Sequence, residues 1–97
     1  TGGSIDAETA HRHGFVNRLT DEGDLLDAAL ALAAEITACA PLAVRESLRV
    51  ARAAAAPDEM ALRALSEESR TRVRASEDFV EGARAFAEKR PPLWRGR

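Results

Sequence analysis

The residues able to do chemistry are few. His11 and His13 lie two apart, which on a helix sends their side chains to different sides. They do not converge on one metal as an i, i+4 pair would, so surface histidines are the expectation. Cys39, the single cysteine, sits between Ala38 and Ala40 with no adjacent base. It reads as a small apolar filler rather than a nucleophile. Glu67 and Glu68, with Asp78 and Glu81 farther on, offer carboxylates for general acid–base work. Adjacent helical residues point apart, however, and these acids have arginine neighbours, so solvated ion pairs are expected instead. Gly2-Gly3 is too short to be a phosphate-binding loop. Taken by residue type alone, the chain holds no active site.

Its last segment is different. Phe86, Lys89 and Arg90 put an aromatic ring and two cations within about one helical turn. Such a trio can meet a phosphate and a flat base together. It can equally be a core phenylalanine followed by two cations that favour a helix C-terminus through its dipole. Residues 84–97 carry Arg84, Lys89, Arg90, Arg95 and Arg97 against one acid, Glu88, so this end is locally cationic.

The elements that must position these residues are mainly helical. Alanine dominates, and Ala, Leu, Arg and Glu lose least on entering a helix. Asp6 is an N-cap acceptor and Gly14 a left-handed-tolerant stop, bracketing a two-turn helix. Phe15-Val16-Asn17-Arg18-Leu19 predicts one short strand, whose pairing partners must lie outside this chain. Asp24 opens a helix to about Cys39, with Leu25, Leu26, Ala29, Leu32, Ala33 and Ile36 at helical spacing. Pro41 suits the first turn of the next helix, which carries Leu42, Val44, Leu48 and Ala51 and stops at Pro57. Asp58-Glu59 place negative charge at a third long helix, bearing Met60, Ala61, Leu65 and Val73 among i, i+4 ion pairs. Ser76 caps a last helix, with Phe79, Ala83, Phe86 and Ala87 on one side and Arg90 at its end. Pro91-Pro92 then force an extended tail that Trp94 anchors. The fold class is mainly α: four to five helices and one short N-terminal strand.

Ninety-seven residues, 45% hydrophobic and 31% charged, make one small domain. A chain this size hides roughly 60 to 70% of its unfolded surface, a core with little margin, so a partner is expected. Sixteen acids against fourteen bases, with an isoelectric point near 5.7, argue against a nucleic-acid partner. No run approaches the roughly 18 apolar residues of a membrane span, so no membrane partner is expected either. One cysteine and no zinc-spaced Cys/His cluster fit a reducing cytoplasm. The start, Thr1-Gly2-Gly3-Ser4, has neither an initiator Met nor a secretory pattern, and is expected to be a cut end.

Two stretches resemble the C-terminal part of the enoyl-CoA hydratase/isomerase (crotonase) superfamily. One runs from Thr1-Gly2-Gly3 through Ile5, Ala7 and Glu8-Thr9-Ala10 to Gly14-Phe15-Val16-Asn17. The other comprises Ser76, Asp78, Glu81-Gly82, Ala85-Phe86, Glu88-Lys89-Arg90, Pro92 and Trp94. The resemblance implies that 1–22 end the family's β/α spiral core, as a short helix and strand. It implies that 23–97 form the helical region that builds a trimer, commonly paired into a hexamer, and lids the CoA site. Phe86 and Lys89 match positions near the CoA adenine and phosphates. The family acts on acyl-CoA thioesters without a prosthetic group, most commonly hydrating 2,3-trans-enoyl-CoA in fatty acid metabolism. Its acid–base glutamates and oxyanion-hole donors lie upstream of this segment, so the chain by itself is expected to be inactive. Isomerase and other crotonase-type reactions share the pattern, and a non-catalytic, self-associating helical module is the alternative. Arg74 departs from the pattern, standing where relatives often have an aromatic, which puts apolar lining of the acyl pocket in doubt.

Overall fold

The structure, a computed structural model, describes residues 2–55 and 58–97. Five helices follow one another: α1 (Ala7–Arg12), α2 (Leu25–Thr37), α3 (Pro41–Ala53), α4 (Glu59–Arg74) and α5 (Glu77–Glu88). The residues divide into two compact units, 1–35 and 36–97. Among the described residues, no single helix is long and apolar enough to cross a membrane.

In the first unit, the Asp6 carboxylate accepts the Thr9 N–H at 2.7 Å and opens α1. Gly14, at φ 78°, takes the left-handed conformation that ends it. The strand expected over Phe15–Leu19 does not form, and no strand occurs among the described residues. Phe15 instead turns its N–H back to the Ala10 carbonyl at 2.9 Å, and its ring is 80% exposed. A strand exists by its ladder, and no neighbouring segment supplies one here. The loop is tied to α2 by an ion pair from Arg18 to Glu35 at 2.7 Å.

In the second unit, Pro41 stands at the start of α3, as its missing donor favours. The expected stop at Ala56-Pro57 lies outside the described residues; α3 itself ends at Ala53. Asp58 caps α4 by accepting from Ala61 N–H at 3.0 Å, and Ser76 caps α5 by accepting from Phe79 N–H at 3.1 Å. Helix α3 packs on α4, and α4 touches α5. Leu42, Val44, Val50, Leu62, Leu65 and Val73 are half-buried, and Ala85 is fully buried.

The faces of α5 differ from expectation. The protected stripe is Asp78, Glu81, Gly82 and Ala85, at helical spacing. Phe79, Val80 and Phe86 point away from it, and Phe86 is 88% exposed. The tail takes the protected side: Trp94 lies over Gly82, where an added Cβ would come within 3.3 Å of the indole. The same indole donates from Nε1 to the Ala38 carbonyl at 2.7 Å, so Trp94 does anchor the tail.

Candidate functional site

The end of α5 is built by a backbone turn. Lys89 donates its N–H to the Phe86 carbonyl at 3.3 Å and Arg90 donates to the Ala85 carbonyl at 3.1 Å. These are the two bonds of a Schellman ending, which requires a left-handed residue between helix and tail. Glycine normally fills that place; here Lys89 does, at φ 52°, ψ 42°. The helix therefore ends at Glu88, not at Arg90. A side chain in this conformation costs about 1 kcal/mol relative to ordinary backbone.

Around this turn the two neighbouring cations are used differently. Arg90 grips Glu81 with Nη1 on Oε1 at 2.6 Å and Nη2 on Oε2 at 3.1 Å, and places Nε on Glu88 at 2.6 Å. Lys89 is exposed and makes no ion pair with any described residue. Arg90 holds the Glu81 carboxyl far below the usual range, at about 2, with help from the Leu93 N–H. Arg90 is itself held more firmly protonated by Glu81 and Glu88. Phe86 and Lys89, the two residues singled out in the sequence, thus share one turn: an exposed ring and an uncommitted cation.

Asp78 and Glu81, expected to be solvated acids in ion pairs, hold the tail instead. Asp78, 2% exposed, accepts the Arg95 N–H at 2.6 Å and the Gly96 N–H at 2.8 Å. Glu81 accepts the Leu93 N–H at 2.8 Å. Neither is a solvated surface acid, contrary to expectation, because each provides acceptors that an extended, Pro-led tail cannot find within itself. Glu67 and Glu68 do form the expected surface pairs, with Arg70 and Arg72.

A second cluster lies between α3 and α4. Glu46, 8% exposed, faces Arg49 at 3.2 Å and Arg72 at 3.6 Å, while Arg49 reaches on to Glu68 at 3.1 Å. The Ser69 hydroxyl, then Arg49, hold the Glu46 carboxyl below its ordinary value. A carboxylate so committed fastens two helices and offers no proton at neutral pH. Beside it, a groove of about 600 Å³ is lined by Val50, Val73, Arg74 and Phe79 among others. Of the three arginines ending α4, two are engaged by acids and Arg74 turns to this groove.

His11, His13 and Cys39 are exposed. Among the described residues, no three His, Cys, Asp or Glu side chains gather as a metal site. What the sequence did not disclose was the role of Asp78 and Glu81 as tail holders. The one available signal was Gly82 in α5 together with a tryptophan beyond the prolines.

The fold is one that solved enoyl-CoA hydratases share. The chain superposes over its whole length on a probable enoyl-CoA hydratase/isomerase from Mycobacterium abscessus, with TM-score 0.88, 47% identity and 38% of that chain covered. It does so equally on an enoyl-CoA hydratase from Mycobacterium tuberculosis, with TM-score 0.92, 42% identity and 38% covered. A carnitinyl-CoA dehydratase from Citrobacter koseri is 41% identical across the whole chain, which spans 39% of that protein. The sequence pattern of the enoyl-CoA hydratase/isomerase family matches residues 1–97. The chain belongs to that family, within the crotonase superfamily.

Proposed function

We propose that the protein is an acyl-CoA enzyme that adds water to a 2,3-trans-enoyl-CoA, and that this chain supplies subunit contacts and part of its CoA site. Residues 1–22 belong to the end of the spiral core and 23–97 to the oligomerisation and lid region. The similar proteins support the class, since their names describe adding or removing water on a CoA thioester. The substrate is the thioester itself, without a prosthetic group. On this reading the acid–base glutamates and the oxyanion donors lie outside this chain, which spans 39% of the carnitinyl-CoA dehydratase. A reducing cytoplasm is the compartment that fits.

One observation carries the CoA assignment: an 88% exposed Phe86 beside a Lys89 that accepts a left-handed backbone and pairs with no described acid. A ring offers its face to adenine, and an ammonium offers charge to phosphate. Strain kept at a cationic residue, where glycine would relieve it, favours a role for the charge. The test is coenzyme A binding by calorimetry, with crotonyl-CoA hydration followed alongside. Lys89→Ala weakens coenzyme A binding about tenfold, the loss of one charge-assisted bond. Lys89→Gly weakens it equally while the thermal midpoint holds or rises. Unchanged affinity in both variants overturns the assignment.

A second reading has its own observation. Phe15, Leu25, Met60 and Phe86 are 80, 72, 82 and 88% exposed, as in a helical module whose function is to associate with copies of itself.

A further inference from the structure

The assignment of Phe86 and Lys89 to coenzyme A needs Lys89 uncommitted, and the residue that follows it, Arg90, takes up the acids of this helix end. Glu88 is its immediate neighbour, and Glu81 lies two turns earlier on the same helix. Both are acids of α5 that lie before Lys89 in the chain. Arg90 occupies both: its Nε lies 2.6 Å from Glu88, and its two Nη atoms lie 2.6 and 3.1 Å from the Glu81 oxygens. Its Nη1 also reaches the Pro91 carbonyl at 3.1 Å. The donors of Arg90 are therefore directed inward, and its own charge is neutralised within the chain. Its backbone N–H, on the Ala85 carbonyl at 3.1 Å, completes the turn that holds Lys89 left-handed.

We propose that Arg90 is a positioning residue of the coenzyme A site, which takes up Glu81 and Glu88 so that the Lys89 ammonium stays available to a phosphate. This rests on the assignment of Phe86 and Lys89 made above. The division of labour follows the chemistry of the two cations. A guanidinium forks across two carboxylates at once, whereas an ammonium is a point charge suited to one mobile phosphate. Of two adjacent basic residues, one is structural and the other meets the ligand.

The test is a double-mutant cycle on the complete protein, with coenzyme A as probe and circular dichroism and thermal melting as controls. Arg90→Ala frees Glu88 to capture Lys89 and raises the Kd for coenzyme A about tenfold. That loss disappears in a Lys89→Ala background, and adding Glu88→Gln to Arg90→Ala restores most of the affinity. Should Arg90→Ala fail to fold, Arg90→Lys serves: it cannot hold both acids, so affinity falls and Glu88→Gln recovers it. An equal loss with and without Lys89 shows that Arg90 acts elsewhere and overturns the proposal. So do Arg90 variants that bind as the wild type does. If Lys89→Ala alone leaves binding unchanged, the site assignment itself fails, and the positioning role fails with it.

Discussion

Arg90 reaches back nine residues to hold both carboxylate oxygens of Glu81, at 2.6 and 3.1 Å. Glu81 also takes the Leu93 N–H, so one side chain in the middle of α5 binds the helix to the tail that follows it. This is what turns α5 and residues 90–97 into one element, since Pro91-Pro92 prevent any helical continuation.

The Glu81 carboxyl titrates at about 2 against an ordinary 4.5. Its folded form favours the charged state, so its contribution is complete above about pH 4.5 and is lost as pH falls toward 2. Glu46 is displaced in the same direction. The denaturant midpoint is expected to be level from pH 7 to 5 and to fall below 4.5, and Glu81→Gln makes that fall shallower. An unaltered pH profile in the variant would show that Glu81 is not involved.

Asp78 serves two tail N–H groups from a buried position. Asp78→Ala removes two hydrogen bonds to a charged acceptor and is expected to cost about 3 kcal/mol. Asp78→Asn turns an amide NH₂ toward one of the donors and costs part of that. Chemical denaturation monitored by Trp94 measures both, and a loss within error for Asp78→Ala would contradict the role.

Gly82 leaves room for the Trp94 ring, with 3.3 Å to an added Cβ. Gly82→Ala gains about 1 kcal/mol of helix propensity, offset by a small shift of the indole, so it is nearly neutral. Gly82→Leu has no such space and is expected to push the ring off Ala38. Trp94 is the sole tryptophan, and a red-shifted emission reports its release. Native emission in the leucine variant would refute the packing.

The 97-residue chain leaves 7968 Å² exposed, where a folded monomer of this mass exposes roughly 5400 Å². Sedimentation of the chain alone is expected to show concentration-dependent association through its apolar helix faces. A single monomeric species at every concentration would count against it.

Much of this architecture was legible locally. Asp6 and Ser76 cap the helices that their side-chain chemistry predicts, Asp58 stands at the start of α4 as the helix dipole predicts, and Pro41 starts α3. These signals act within three or four residues, and short-range rules capture them. The strand at Phe15–Leu19 failed because β-propensity describes fitness for a sheet, and no sheet is at hand.

The face of α5 was misread for a related reason. Apolarity pointed to Phe79, Ala83, Phe86 and Ala87, yet the protected stripe contains Asp78 and Glu81. Their burial depends on donors twelve to eighteen residues away, a pairing that no helical period encodes. Phe86 and Lys89 could be picked out as a pair from residue type and spacing. That one of two adjacent cations is committed and the other is not depended on the Arg90 geometry.

The tail is gripped by its backbone at Leu93 and Arg95, whose side chains remain largely in solvent. Any residue with an N–H satisfies Glu81 and Asp78 there, and proline alone is barred. Position 93 is therefore a site where a fluorophore or cross-linker can be installed without loosening the hold on the chain, whereas at 95 the change also gives up the pair from Arg95 to Glu77 at 3.4 Å.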